Sequence, residues 1–285
     1  MSGLHGCNCL VTGASRGLGA EIARGLWTAG CNLLLVARNG LALESLISSL
    51  PSRADQRAVA LKADLGDPAA PERVVARARE LFPTLDVLVN NAAIQGPVGP
   101  SWENSWDGWQ STIQVDLLAP VALCRLVVPW MAGRGRGKII NLSGGGGTSP
   151  RPNFSAYAAA KTALVRFSET LAVETRELGI EVNCIAPGAM STAMQESIVA
   201  SGPSMAGQKE YETAQRVLRE GSTALEKAAA LCVLLASPES DGISGRLISA
   251  VWDPWERLPE QLDQLRESDV YTLRRIVPND RGLDW

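Results

Sequence analysis

A tyrosine and a lysine four residues apart, Tyr157 and Lys161, are the residues of this chain whose types and spacing point most directly to chemistry. On an α-helix, residues i and i+4 share one face because a turn takes about 3.6 residues. A free phenol titrates near pH 10, roughly, and a neighbouring ammonium favours the phenolate and so lowers the pKa. The pair therefore predicts a general acid/base for an alcohol–carbonyl couple.

A glycine-rich turn lies upstream, between a short apolar strand at 9–11 and a helical pattern. Such a turn aims backbone N–H groups and a helix N-terminus at an anion, typically a dinucleotide pyrophosphate. Its spacing is G-x-x-x-G-x-G, which differs from the general G-x-G-x-x-G fingerprint, and a plain tight connection is the alternative. The candidate cofactor-binding residues here are Thr12, Gly13, Ser15, Arg16, Gly17, Leu18 and Gly19.

The second strand ends at Arg38, about 20 residues beyond the glycines, where an acidic residue would bind a ribose 2′-hydroxyl. An arginine suits a 2′-phosphate instead, because its guanidinium offers forked donors to phosphate oxygens. Arg16, inside the glycine turn, is a second cation for the same phosphate. These residues predict NADP(H) rather than NAD(H), the alternative being two solvated surface arginines.

With these elements in hand, the chain resembles the short-chain dehydrogenase/reductase family from about residue 6 to residue 250. The matching motifs are T-G-x-x-x-G-x-G at 12–19, Asp64-Leu65, Asn90-Asn91-Ala92-Ala93, Tyr157 with Lys161, and Pro187-Gly188 followed by Thr192. Ala93 stands where the family has glycine. Five motifs in the right order are far more specific than any one of them.

The resemblance implies a role for each matched residue. Tyr157 would be the general acid/base, and Lys161 would lower its pKa and bind the nicotinamide ribose. The remaining cofactor contacts would come from Asp64 and Leu65 at the adenine, from Asn91, Ala92 and Ala93, and from Pro187, Gly188 and Thr192 at the carboxamide.

The chain departs from the family at two positions. The family usually places a substrate-binding serine thirteen residues before the tyrosine, and here that position is Gly144. We expect Ser143 to take the role, with four consecutive glycines re-routing the backbone, and Ser149 and Ser155 stay open as alternatives. Asp116 stands where the family has a proton-relay asparagine. It is predicted to bind the same water and, if buried, to have a raised pKa; a surface or interface carboxylate is the alternative.

Strand and helix patterns alternate along the chain, which predicts an α/β fold: a single doubly wound parallel sheet, Rossmann-like, with helices on both faces. The predicted strands are 9–11, 32–37, 58–62, 87–89, 138–142, 181–185 and 246–248. The predicted helices are 18–29, 41–50, 69–81, 105–131, 155–178 and 222–236. Pro120 is expected to kink the fourth helix.

Two segments go beyond a minimal nucleotide-binding sheet. Residues 189–221 are weakly patterned and are predicted to form a substrate lid within a domain over 1–250. Residues 251–285 form an aromatic-rich extension that we expect to pack on the domain or on a neighbouring subunit, with a substrate-binding role as the alternative. Trp102, Trp106 and Trp109 form a helical stripe that is typical of a core or an interface.

Composition excludes several classes of function. The 285 residues carry a net charge of −3, which gives no electrostatic case for nucleic acid or an anionic membrane. We find no uninterrupted apolar run of about 18 residues and no signal-peptide pattern, and we expect a cytoplasmic protein. Six scattered cysteines and one histidine fall short of a zinc set, so no metal is predicted.

The prediction is an oxidoreductase that transfers hydride between NADP(H) and a small-molecule carbonyl or secondary alcohol, assembled as a homodimer or homotetramer. Two alternatives stay open. One is a catalytically weak NADP(H)-binding regulatory or scaffolding protein, suggested by the departures at Gly144 and Asp116. The other is an epimerase or dehydratase that recycles its hydride.

Overall fold

Seven parallel strands form one sheet in the computed structural model, which describes residues 3–285. They are β1 (Asn8–Thr12), β2 (Asn32–Ala37), β3 (Ala58–Lys62), β4 (Val87–Asn90), β5 (Gly137–Leu142), β6 (Ile180–Ala186) and β7 (Leu247–Ser249). Their order is β3-β2-β1-β4-β5-β6-β7, so the chain reverses its direction of travel across the sheet after β3. This is the doubly wound, Rossmann-like topology, and the predicted fold class is confirmed.

Ten α-helices connect and flank the strands within the described residues. They are α1 (Gly17–Thr28), α2 (Gly40–Ser49), α3 (Ala70–Leu81), α4 (Trp106–Ile113), α5 (Ala119–Ala132), α6 (Ser155–Glu174), α7 (Ala193–Ala206), α8 (Gln208–Glu220), α9 (Ala224–Ala236) and α10 (Leu262–Glu267).

The strands are apolar on both faces because helices cover both. Two neighbouring residues of β1 show this. Val11 packs in the core on one face with α1, α2 and α9, and Leu10 packs in the core on the other face with α3 and α5. Successive side chains of a strand point to opposite faces, so a sheet covered twice needs a continuous apolar run.

The predicted helix at 105–131 is interrupted by a π-helical turn over Gln114–Leu118, which joins α4 to α5. Pro120, where we expected a kink, stands in the first turn of α5. It has no N–H to offer the carbonyl four residues back, and the Ala119 N–H bonds to the Gln114 carbonyl instead. The distortion therefore takes the form of a widened turn around Asp116, and such turns are frequent at functional sites.

The stretch Trp106–Ala132 is the one helix in residues 3–285 that is long and apolar enough to cross a membrane by length and composition alone. Its second half belongs to the core of this domain, because Leu123, Cys124, Val127 and Met131 are fully buried against the sheet. We therefore assign it as a core helix.

The segment 251–285 packs on its own chain. Trp255 is buried in the core shared with α1 and α9, and its indole N–H donates to the Ala250 carbonyl at 3.0 Å. The Arg246 guanidinium donates to the backbone carbonyls of Leu265, Ser268 and Val270. An arginine can bind several carbonyls at once because its planar guanidinium carries five hydrogen-bond donors. The segment thus closes the end of the sheet beside β7.

Candidate active site

Tyr157 and Lys161 lie on the same face of α6, where it passes the carboxyl end of β5. Both side chains are buried, at 6% and 2% exposure. The Lys161 ammonium donates to the Leu142 carbonyl at 3.0 Å and stands 5.5 Å from the centre of the Tyr157 ring. The helical spacing read in the sequence therefore places a cation beside the phenol.

Burial raises the pKa of the Tyr157 hydroxyl above its ordinary value, and the Lys161 ammonium opposes that rise. Asp116 adds to the rise, and Arg151 counters it. The sequence predicted only the lowering effect of Lys161. In the folded protein, desolvation of the phenolate outweighs it because Tyr157 is almost fully removed from water.

Asp116 is completely buried at the π-helical turn between α4 and α5. One carboxylate oxygen accepts the Ile94 N–H at 2.8 Å, and the other lies 3.4 Å from the Lys161 ammonium. Burial raises the pKa of Asp116, against the opposing effect of Lys161. For Lys161, burial alone would lower the pKa, but Asp116 and Tyr157 outweigh it and leave that pKa raised. Asp116 is therefore a partner of Lys161, not a surface carboxylate.

Gly144 lies directly against the reactive oxygen of Tyr157. A Cβ added at Gly144 would overlap the Tyr157 hydroxyl oxygen. Ser143, expected to supply the hydroxyl in its place, is buried, and its Oγ has no hydrogen-bond partner. That Oγ lies under Gly147, where a Cβ would come within 2.6 Å of it. The structure therefore does not pair Ser143 with Tyr157, because neighbouring residues at the end of a strand face opposite sides.

The two alternative serines lie elsewhere. Ser155, in the first turn of α6, accepts a hydrogen bond from the Trp109 indole at 3.4 Å. Ser149 is exposed. Trp106 stacks on Trp109 with ring centres 5.6 Å apart, yet it is 66% exposed, and Trp102 is 84% exposed. The tryptophan stripe is therefore largely at the surface and not in the core.

The glycine turn is held against the segment that follows β4. Thr12 Oγ1 accepts the N–H groups of Asn91 and Ala92 at 3.0 and 3.1 Å, and the Asn91 amide donates to the Thr12 and Gly13 carbonyls. Gly13 has a left-handed φ of +65°, and a Cβ there would come within 2.7 Å of the Ala92 backbone. A side chain is thereby excluded at Gly13, which leaves the backbone of the turn open to a ligand at that position.

The other candidate cofactor residues converge on the same edge of the sheet. Thr192 lies next to the turn, since a Cβ at Gly17 would be 3.5 Å from its methyl group. Arg16 and Arg38 are exposed at the ends of the turn and of β2, and Leu65 is buried beside Ala92. Asp64 is exposed and accepts the Gly66 N–H at 2.9 Å. The remaining matched residues lie in these same segments. They are Ser15, Leu18, Gly19, Ala93, Pro187 and Gly188.

Residues 189–221 form two helices, α7 and α8, where the sequence showed only weak patterning. Ile198 of α7 and Ala214 of α8 pack against Phe154 and the Tyr157 ring. The hairpin therefore covers the tyrosine. Gly188 and Gly221 flank it with left-handed φ values of +85° and +73°, a conformation that other residues rarely adopt.

The matches to known proteins agree with this geometry. A sequence model described as short chain dehydrogenase matches residues 8–202. The chain belongs to the short-chain dehydrogenase/reductase family. Similar members include the oxidoreductase UcpA of Salmonella typhimurium, 35% identical over 92% of this chain and 98% of that one, and the human dehydrogenase/reductase SDR family member 4, 30% identical over 84% of each.

Solved structures of family members share the architecture. A putative short-chain alcohol dehydrogenase from Sinorhizobium meliloti superposes with a TM-score of 0.73 at 30% identity, covering 86% of this chain and 95% of its own. Levodione reductase superposes with a TM-score of 0.77 at 26% identity, covering 87% and 96%. As a family member, the chain is an oxidoreductase that uses a nicotinamide cofactor.

Sequence reasoning missed two charged residues of this dehydrogenase/reductase site, Arg151 and Lys62. Arg151, in the loop before α6, places its guanidinium carbon 4.1 Å from the centre of the Phe154 ring and 5.5 Å from that of Tyr157. It donates twice to one carboxylate oxygen of Glu210 on α8, at 2.7 and 3.2 Å. Nothing in the local sequence marks it, because its partner is 59 residues away.

Lys62 was also missed. It ends β3, pairs in register with Ala37 and is exposed, and its side chain passes beside Gly40. It therefore stands next to the strand end that carries Arg38. No group of three or more His, Cys, Asp or Glu side chains suited to a metal ion occurs in the described residues.

Proposed function

We propose that the protein transfers hydride between NADP(H) and the carbonyl or secondary alcohol of a small molecule, with Tyr157 as the general acid/base. The observation that carries the proposal is the buried pairing of Tyr157 with Lys161 at the carboxyl edge of the sheet, beside the glycine turn. Ligands of doubly wound sheets bind at that edge.

The glycine turn fits a dinucleotide. The N-cap residue of α1, Arg16, is extended, and its side chain makes no capping hydrogen bond. The first N–H groups of α1 therefore have no side-chain acceptor, and these are donors that a pyrophosphate can use. Gly13, Gly17 and Gly19 line this cradle, and a Cβ at Gly19 would overlap the Gly13 carbonyl. The nicotinamide of the bound cofactor supplies the hydride chemistry.

The proposed preference for NADP(H) rests on cations at the end of β2. Arg16 and Arg38 are both exposed, so both guanidinium groups are accessible to an anion. Lys62, on the neighbouring strand end, is a third cation beside them. No acidic residue stands at the tip of β2 to accept a ribose hydroxyl.

The proton chemistry falls to three buried side chains. In the reductive direction Tyr157 donates its hydroxyl proton to the substrate oxygen. Lys161 stabilises the phenolate that remains, and Asp116 holds the Lys161 ammonium from the other side. Asn91 donates its amide to the glycine-turn carbonyls and so fixes the turn in place.

The proposed substrate class is a small molecule with a ketone or secondary alcohol. Relatives named for small molecules include a gluconate 5-dehydrogenase of Gluconobacter oxydans, 33% identical over 69% of this chain and 76% of its own. Apolar side chains pack in one cluster with Tyr157, among them Val98, Met194 and Ile198. They suit a substrate with an apolar body.

A second candidate is a catalytically weak NADP(H)-binding protein. It is favoured by Gly144, which offers no hydroxyl beside Tyr157, and by the unpartnered position of Ser143. An epimerase or dehydratase that recycles its hydride is a third.

Calorimetric titration of the protein with NADPH and with NADH at fixed salt, followed by turnover on a carbonyl panel, tests the proposal. Tight NADPH binding with carbonyl reduction supports it. Tight binding without turnover on any carbonyl favours the second candidate, and conversion of substrate without net change in NADPH absorbance favours the third.

We propose that the chain assembles as a homodimer or homotetramer in the cytoplasm. Trp106 and Leu118 expose apolar surface on one side of the long helix, at 66% and 49%. Such surface favours a partner. Light scattering on the purified protein tests the assembly, and a monomer at micromolar concentration would contradict it.

A further inference from the structure

Two cations flank the Tyr157 ring at the same distance. Lys161 Nζ and the guanidinium carbon of Arg151 each lie 5.5 Å from the ring centre. The Arg151 side chain is only 11% exposed. Its guanidinium lies over the rings of Phe154 and Tyr157 and is paired with the Glu210 carboxylate. A partly buried charge at this distance acts on the phenol through little water.

The two cations differ in how far each is compensated. Lys161 faces Asp116, which is completely buried, so no solvent screens that carboxylate. Arg151 faces Glu210, whose side chain is one-third exposed at 33% and therefore partly screened. Asp116 thus cancels much of the Lys161 charge that the phenolate would feel, while Arg151 keeps more of its own.

The side of Tyr157 where a serine hydroxyl would stand is filled by Gly144, which donates nothing to the phenol oxygen. The site therefore lacks a serine hydroxyl that would stabilise the phenolate. Its other stabiliser, the Lys161 ammonium, has the buried Asp116 carboxylate beside it. A further positive charge offsets both losses.

We propose that Arg151 is a positioning residue that stabilises the Tyr157 phenolate as a second cation and is held over the ring by Glu210 of α8. The proposal deepens the proposed function, since it rests on Tyr157 being the acid/base. It ties the electrostatics of the site to the α7–α8 hairpin, because the residue that orients the guanidinium belongs to that hairpin.

The charged groups that act on Tyr157 come from four elements. They are Lys161 on α6, Asp116 at the π-helical turn, Arg151 in the loop before α6, and Glu210 on α8 through Arg151. Of these, Lys161 and Arg151 lower the pKa of Tyr157 and Asp116 raises it, beneath the larger effect of burial.

The test reads the ionisation of Tyr157 directly. The chain has three tyrosines, so protein labelled with 3-fluorotyrosine gives few fluorine resonances, and Tyr157→Phe assigns the one from the site. Fluorination also brings phenol titration to milder pH. This readout needs no turnover, so it succeeds or fails independently of the proposed function.

Arg151→Gln is expected to move the Tyr157 titration upward by on the order of one pH unit, and Arg151→Lys by less. Where a variant unfolds before the midpoint of its Tyr157 titration is reached, the variants are compared by the fraction of Tyr157 ionised at one fixed pH. A larger upward shift then gives a smaller ionised fraction. Arg219→Gln, an equal loss of charge at an exposed ion pair on α8, is the matched control and is expected to cause no shift. No upward shift in Arg151→Gln, or an equal shift in the control, overturns the proposal.

Glu210→Gln separates this role from a purely structural tie. It breaks the same ion pair but leaves the Arg151 charge in place, so the Tyr157 titration is expected to stay or to move downward. If the ion pair served only to fasten the hairpin, both variants would open the site and shift the titration in the same direction. Opening the site would relieve the burial that raises the pKa of Tyr157, so downward shifts of equal size in Arg151→Gln and Glu210→Gln would also overturn the proposal.

Discussion

Asp116 and Lys161 form an ion pair with a 3.4 Å separation in which both side chains are buried. The pair places a carboxylate behind the ammonium that faces Tyr157. Burying two charges is costly unless each gains a partner, and here the Asp116 carboxylate also accepts a backbone N–H while Lys161 also donates to a carbonyl. The Tyr157–Lys161 pair therefore works as part of a larger charged cluster.

Replacing Asp116 with Asn is expected to lower the pKa of Tyr157, because the carboxylate raises it in the wild type. In alcohol oxidation the phenolate is the base, so kcat/KM rises as pH rises through this pKa. The rise is expected at lower pH in Asp116→Asn, by on the order of one unit. Asp107→Asn, on the exposed first turn of α4, is the control, and an unmoved or upward-shifted profile in Asp116→Asn would contradict the prediction.

Replacing Tyr157 with Phe removes the proton donor and keeps the ring that packs beneath the hairpin. Turnover is expected to fall by roughly 10²–10⁴-fold or more, with NADPH affinity within about twofold of wild type. Tyr211→Phe on α8 removes a hydroxyl that accepts from Gln215 and serves as the control. Steady-state kinetics and calorimetry measure both effects, and unchanged turnover would rule out the mechanism.

Replacing Arg38 with Asp adds a ribose acceptor and removes a phosphate partner. The ratio of NADPH to NADH affinity is expected to fall about tenfold or more, since a charge-assisted hydrogen bond contributes roughly 1.5–3 kcal/mol. Arg53→Asp makes the same charge change in the loop before β3, at the opposite end of the sheet. A ratio that stays constant in Arg38→Asp would argue for a different phosphate site.

Replacing Gly144 with Ala puts a methyl group where the Tyr157 hydroxyl oxygen lies. Either the hydroxyl or the strand end must move, so kcat is expected to fall at least tenfold while NADPH binding is kept. Gly145→Ala is a close control, because the three atoms nearest to its Cβ would be Arg151 side-chain atoms at an ordinary 3.7 Å. Equal kinetics for the two variants would show that Gly144 does not constrain the tyrosine.

Replacing Ser143 with Ala tests whether its hydroxyl reaches the substrate. The buried Oγ has no partner, so its removal is expected to leave the free energy of unfolding unchanged or to raise it by up to about 1 kcal/mol. Denaturant unfolding measures this, and a loss of more than about 1 kcal/mol would indicate a partner that the structure does not show. Turnover of the same variant tests the predicted catalytic role.

The sequence predicted the sheet well because its strands carry their own signal. Continuous apolar runs such as the one in β2 require cover on both faces, and each of the seven strands lies within one or two residues of its predicted place. The motif residues converge because parallel strands end at one edge. The local sequence pattern and the parallel topology were together enough to predict the sheet and the position of the motif residues.

The parts that the sequence did not predict depend on contacts between distant segments. The pattern of α7 is weak because the helix buries only Ile198 and Ala206 and is broken at Gly202, whereas α8 is strongly amphipathic and its pattern was overlooked. The side to which Ser143 points follows from the path of the chain through the glycines. Arg151 acquires its position from Glu210, which no pattern within its own loop could indicate.

The hairpin of α7 and α8 has a consequence for the timing of the catalytic cycle. Tyr157 gives up its proton in each reduction, yet it is 6% exposed beneath the hairpin. We expect product departure and reloading of the phenol with a proton to share a single opening event, pivoting at Gly188 and Gly221. A steady-state rate that falls with solvent viscosity would report this shared event. The rate of turnover would then be limited by motion at Gly188 and Gly221 and not by proton transfer from Tyr157.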